Sequence, residues 1–222
     1  MNILLITATP FELAPLQEQL KQQEQTWSNL SIQTLVTGVG LPLTAWSLGQ
    51  HLATNTYDYL IQAGVGGAID CELALGDVVE VRSECFADLG VEEADGRFTS
   101  AIDLGLVDAD ELPFQGGRLW NQPEVERHFL PQVHGISVNK VHGYEPSIER
   151  LRENYPFAQV ESMEGAAFFY AALQAQTPFL QLRSISNYVE KRQRDKWELG
   201  LAIERLNGVL YDLLATLAEA EG

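Results

Sequence analysis

The side chains best suited to chemistry lie between Val160 and Trp197. Glu161 and Glu164 open a small-residue helix, GAAFFYAALQA, in which Gly165, Ala166 and Ala167 allow close backbone approach. A carboxylate at a helix N-terminus is favoured by the helix dipole and by free N–H groups. The apolar segment Phe179–Ile185 predicts a strand ending in Ser186-Asn187. In open α/β sheets ligands sit outside the carboxyl ends of strands, so both polar tips are expected to face one crevice. Glu12 stands just past the first strand, Asn2–Thr7, in the opening turn of a helix that begins with Pro10. Gly64-Val65-Gly66-Gly67-Ala68 follows a strand over Leu60–Ala63, where bare backbone can approach a flat ligand. Each feature also has a plainer reading. Glu12 can be a helix-dipole carboxylate, the glycine run a tight turn, and Asn187 a turn or cap residue.

The elements that position these groups alternate between strand and helix. Ser31–Thr37 reads as the second strand, and Gly38-Val39-Gly40 turns it into a helix over Leu41–Thr54. This TGVG lacks the third glycine and the acidic partner of a dinucleotide fingerprint. Val78–Arg82 is a strand after the Gly76-Asp77 turn. Residues Glu84–Leu119, with weak patterning, read as loops and short strands, a lid or subunit contact. Pro123–Phe129 is a short helix, His134–Val141 a strand, Ser147–Tyr155 a helix stopped by Pro156, and Trp197–Ala218 an amphipathic helix. The alternation predicts an α/β sandwich around a mainly parallel sheet, with residues 1–222 as one domain.

Composition narrows the function classes. Thirty-one acidic against 14 basic residues give a net charge of −17, which opposes binding to nucleic acid or an anionic membrane. The apolar N-terminal run lacks the basic flank and length of a signal peptide, and no stretch is long enough to span a bilayer, so a soluble cytoplasmic protein is expected. Cys71 and Cys85 do not suggest a disulfide framework. His51, His128, His134 and His142 form no ligand-spaced cluster, so no metal is expected.

In order along the chain, TATPFE, TGVG, QAGVGGAI, LGDVVEV, ESMEGAA and RSISN resemble the nucleoside phosphorylase/nucleosidase superfamily, spanning residues 1–197. Within it MEGAAFFYA, RSISNYVEKR and RDKW look like the futalosine hydrolase family. The resemblance implies a three-layer α/β/α sandwich with a central mixed, mainly parallel sheet. It also implies cofactor-free hydrolysis of the N-glycosidic bond of futalosine to hypoxanthine and dehypoxanthinylfutalosine, in menaquinone biosynthesis. Glu12 matches the carboxylate that polarises the attacking water in methylthioadenosine nucleosidases. Glu164 is expected to hold the ribose 2′- and 3′-hydroxyls, with Met163 packed on the sugar. The segment Glu161-Ser162-Met163-Glu164 displaces the family's first Glu by one position, so Glu161 is assigned no ligand contact. Asn187 stands where adenine-specific nucleosidases carry the Asp that protonates N7. Trp197 matches a pocket aromatic, and the base-stacking Phe falls at Val141-His142. Gly64, Val65 and Ser186 complete the expected substrate contacts.

The substitution at 187 bears on the base. A 6-oxo purine offers an acceptor at O6, and its N7 becomes a donor as the base departs; one carboxamide can meet both. Phosphorylases of the superfamily have an Arg where Gln62 stands here, and an amide cannot replace guanidinium as a phosphate clamp. Hydrolysis is therefore favoured. Arg192, in the run Lys191-Arg192-Gln193-Arg194, is expected to meet the substrate's benzoate; a solvated loop is the alternative for that run. A homodimer or higher oligomer is expected, with a pocket that borrows residues from a neighbour. A methylthioadenosine- or inosine-type nucleosidase, a phosphorylase and a non-catalytic nucleoside-binding protein remain the rivals.

Overall fold

Strand β1 (Asn2–Thr7) is apolar over Ile3–Ile6 because both of its faces are covered. Ile3 and Leu5 pack with Leu13 and Leu16 of α1 (Pro10–Gln23), while Leu4 and Ile6 face the opposite layer. The computed structural model describes residues 1–23, 27, 29–121 and 129–220. After α1 come β2 (Ser31–Val36), α2 (Leu41–Leu52), β3 (Tyr59–Ala68) and β4 (Val78–Glu84). Four short strands follow, β5 (Gly90–Glu92), β6 (Phe98–Ser100), β7 (Phe114–Gln115) and β8 (Arg118–Trp120), as expected of a weakly patterned segment. The remainder is β9 (Gln132–Ser137), α3 (Glu145–Asn154), β10 (Val160–Ser162), α4 (Gly165–Gln174), β11 (Phe179–Tyr188) and α5 (Leu199–Ala220).

Helices α1 and α5 cover one face of the sheet, α2 and α4 the other, and α3 packs on the end of β9. This is the α/β architecture with a central mixed sheet that the sequence predicts. Among the described residues nine strands share that sheet, and β5 pairs with β6 in a separate two-stranded sheet. Strand β3 pairs parallel with β1 and β11, β11 antiparallel with β4, and β4 parallel with β9. Strand β9 then pairs parallel with β10, which returns antiparallel to β3. The middle of the sheet therefore closes on itself, and the carboxyl ends of β1, β3 and β11 converge near its rim.

Several boundaries differ from the sequence reading. The glycine run is not a turn: Gly64–Ala68 continues β3, because Arg183–Tyr188 of β11 keep its backbone paired on one side and β10 on the other. Glu161 does not open a helix; it lies on β10, and α4 starts after Glu164. Strand β9 stops at Ser137, where the chain is drawn off: Val138 N–H donates to Ser162 O, and Asn139 N–H to the Asp88 carboxylate (2.5 Å). Helix α5 begins two residues beyond Trp197. Residues 123–128 of the expected helix Pro123–Phe129, and with them His128, lie outside the described residues. No helix among the described residues is long and apolar enough to cross a membrane.

Candidate functional site

A turn at the end of β1 presents Glu12. The Thr7 hydroxyl (2.9 Å), the Thr9 N–H (2.8 Å) and the Thr9 hydroxyl (3.0 Å) all donate to its Oε2. Val65 N–H donates to Oε1 (3.2 Å), which keeps further acceptor capacity. Pro15 interrupts α1 one turn later, since proline has no N–H and crowds the preceding turn. There the Asn207 amide of α5 takes up the loose groups: Leu16 N–H donates to its Oδ1 (3.0 Å), and its Nδ2 donates to Glu12 O (2.8 Å). An uninterrupted helix would pair those two main-chain groups with each other. The backbone of Glu12 is thus held by the last helix of the chain.

Glu164 immediately precedes α4, but its side chain does not cap that helix. Serine hydroxyls do so instead: Gly165 N–H donates to Ser162 Oγ (3.2 Å) and Ala166 N–H to Ser137 Oγ (2.8 Å). The Glu164 carboxylate turns inward, accepting Gly40 N–H at Oε1 (3.1 Å) and Arg183 Nη1 at Oε2 (3.3 Å). Gly40 has φ 97, a left-handed conformation in which glycine is unstrained, so the TGVG turn supplies one of Glu164's donors.

Beneath these carboxylates runs a buried polar network. Arg183 of β11 is 2% exposed; besides Glu164, its guanidinium donates to Val65 O (3.2 Å) and Gln62 Oε1 (3.3 Å). Gln62 Oε1 also accepts Gln181 Nε2 (2.7 Å). Gly64 lies directly above: a Cβ there would come within 2.6 Å of Arg183 Nη1 and 2.9 Å of Glu12 Oε1. Glu84 closes the bottom, taking the Ser137 hydroxyl at 2.9 Å. Burial pushes its carboxyl up to about 8, against the pull of Arg183 and the bonds from Ser137 and Gln181.

At the outer end β11 carries a bulge between Ile185 and Asn187. Ser186 Oγ lies within bonding distance of Gly66 O (3.2 Å) and Asn187 Oδ1 (2.9 Å), and Asn187 Nδ2 donates to Tyr188 O (3.1 Å). Arg192 sits with its guanidinium carbon 5.3 Å from the Trp197 ring centre. Glu161, 4% exposed, accepts the His142 main-chain N–H at Oε1 (3.0 Å) and contacts His142 Nδ1 through Oε2.

One cleft of ≈ 530 Å³ collects these groups. Glu12, Val65, Val141, Met163, Glu164, Ser186, Asn187, Arg192 and Trp197 all line it, together with Glu161. Gly64 does not; its place is behind the lining, where the absence of a side chain lets Arg183 and Glu12 approach. Lys191 and Arg194 line neither this cleft nor the annex of ≈ 590 Å³ that shares Asn187, Arg192 and Trp197 with it. The sequence reading missed Arg183, Glu84 and the His142–Glu161 contact. A lone arginine inside the apolar run FLQLRSIS was the available signal, since a charge in a buried strand requires partners. Among the described residues no group of three or more His, Cys, Asp or Glu could hold a metal ion.

Comparisons with known proteins place the chain in a family. The chain is 31% identical over 194 residues to the futalosine hydrolase of Streptomyces coelicolor, covering 82% of this chain and 78% of that protein. It is 32% identical over 183 residues to the futalosine hydrolase of Acidothermus cellulolyticus, covering 78% and 70%. A 5′-methylthioadenosine/S-adenosylhomocysteine nucleosidase of Colwellia psychrerythraea is 27% identical over 183 residues, covering 77% and 72%. Among solved structures, the nucleosidase of that name from S. pneumoniae, with a transition-state inhibitor, superposes with TM-score 0.77 at 20% identity, covering 98% of this chain and all of that one. The family model of the Phosphorylase superfamily matches residues 2–217, and the chain belongs to that superfamily.

Proposed function

We propose that the protein is a purine nucleosidase that hydrolyses futalosine to hypoxanthine and dehypoxanthinylfutalosine. The observation that carries this reading is the meeting of Glu12, Glu164 and Asn187, far apart in sequence, in one cleft. Breaking a purine N-glycosidic bond builds positive charge on the ribose and negative charge on the base. Glu12 Oε1, with acceptor capacity to spare, takes a proton from water as the water oxygen bonds to C1′. The C1′–N9 electron pair departs with the base. Glu164, held by Gly40 and Arg183, accepts the ribose hydroxyls, and those bonds strengthen as charge develops. Asn187 offers its amide to O6 and N7 of the leaving base.

The commitments of Gln62 and Arg183 support hydrolysis over phosphorolysis. Gln62 is buried with its carbonyl committed to Gln181 and Arg183, and Arg183 in turn is engaged by Glu164 and Val65. Arg192, at the junction of cleft and annex, meets the substrate's benzoate. Two further parts of the reading are a single nucleosidase domain and a homodimer or higher oligomer. The test is chromatographic detection of the released base from futalosine, inosine and methylthioadenosine, with and without phosphate. Hypoxanthine from futalosine without phosphate is expected. Adenine release as the dominant activity, or turnover only with phosphate, would replace this reading with one of its rivals.

A further inference from the structure

We infer that the Glu161–His142 pair reads position 1 of the purine ring and, beside Asn187, restricts the site to 6-oxo bases. The inference rests on the purine nucleosidase reading above and adds a specificity-determining residue to it. Asn187, its amide oriented by Ser186 and Tyr188, is proposed to meet O6 and N7 but leaves position 1 of the ring to another group. That position calls for a second group with a fixed sense.

His142 is such a group. Both oxygens of the buried Glu161 face it, one taking the main-chain N–H at 3.0 Å and the other contacting ring Nδ1. The inferred tautomer has Nδ1–H donating to the Glu161 carboxylate, which leaves Nε2 a lone pair. The main-chain bond from His142 holds Glu161 in place beside the ring. His142 lines the annex next to Asn187, and Glu161 lines the cleft, so the pair spans the junction of the two cavities. The inferred pose sets the imidazole edge of the base against Asn187, which lines both cavities, and its six-membered ring toward that junction. In a 6-oxo purine N1 carries a hydrogen and donates to Nε2. In a 6-amino purine N1 carries a lone pair, and two acceptors confront each other.

The sequence reading assigned Glu161 no ligand contact. Its role here is indirect: it is a positioning residue for His142, which follows Val141 in the segment near which the superfamily resemblance puts the base-stacking aromatic.

The test is calorimetric binding of hypoxanthine, 1-methylhypoxanthine and adenine to the wild type, His142→Ala and Glu161→Gln, with ¹⁵N NMR of the His142 ring. The wild type is expected to carry the ring proton on Nδ1 and to bind hypoxanthine at least about tenfold more tightly than the other two bases. In Glu161→Gln the amide oxygen keeps the main-chain bond and its NH₂ donates to Nδ1. This moves the ring proton to Nε2 and shifts preference toward adenine. His142→Ala should lose the preference without gaining the opposite one. A ring proton on Nε2 in the wild type, or equal wild-type affinity for hypoxanthine and its 1-methyl derivative, overturns the inference. So does an unchanged preference in a folded Glu161→Gln. Release of hypoxanthine from futalosine alongside any of these results would sink this inference alone; absence of both base release and purine binding would sink the nucleosidase reading itself.

Discussion

The two ends of the cleft are built differently. At the end proposed to hold the sugar, Glu12, Glu164, Arg183 and Glu84 are all buried, and each carboxyl group has side-chain or main-chain donors from other parts of the fold. At the end proposed to hold the base, the polar groups are fewer: Asn187 on a bulged strand, His142 on a segment that has left the sheet, and an exposed Arg192 against Trp197. A change at the sugar end disturbs a network sealed inside the folded chain, where an uncompensated charge is costly. A change at the base end alters one or two contacts at a rim. On the proposed reading, the bond-breaking machinery belongs to the buried centre and substrate choice to its margin. A superfamily can then alter its substrates without rebuilding its core.

Glu12→Gln breaks the comparison most sharply. Hydrolysis should fall about a hundredfold to ten-thousandfold while substrate binding survives, in steady-state kinetics beside direct binding. Unchanged turnover would remove Glu12 from its role. Arg183→Met leaves Glu164 without its cation, so denaturant unfolding should show a loss of about 3–5 kcal/mol; a loss within error would mean the buried network is not tightly coupled. Glu84 supplies a pH signature. Its folded value of about 8 lies above the ordinary 4.5, so the native chain holds a proton that the unfolded chain has released. Its contribution to stability is therefore fully present below pH 4.5 and lost as pH rises through about 8. In Glu84→Gln that fall should disappear from denaturation curves across the same window. Asn187→Asp tests the margin: the ratio of 6-oxo to 6-amino turnover should drop about tenfold, at little cost to stability. An unaltered ratio would assign base choice elsewhere.

Local patterns made much of this legible. The apolar run of β1 reflects burial on two faces, and alternating helix and strand signals give the layers. Glu12, Glu164 and Asn187 stand in short motifs whose order along the chain carries the resemblance. What remained hidden depends on pairing across long separations. The glycines of β3 look like punctuation because glycine disfavours strands, yet β10 and β11 hold them extended from either side. Strand β10 has three residues, too few to register as a strand beside the small-residue helix, so Glu161 was placed on the wrong element. No local signal links residue 12 to residue 207.

That last link sets an order of events in the life of the chain. The turn bearing Glu12 is synthesised well before the carboxamide of Asn207 that bonds its helix backbone. A nascent or truncated polypeptide lacking α5 would carry every group that lines the cleft up to Trp197 and still leave Glu12's backbone unfastened. A polypeptide cut short before α5 therefore lacks the clasp on the turn that carries Glu12, although that turn is made 195 residues earlier than Asn207.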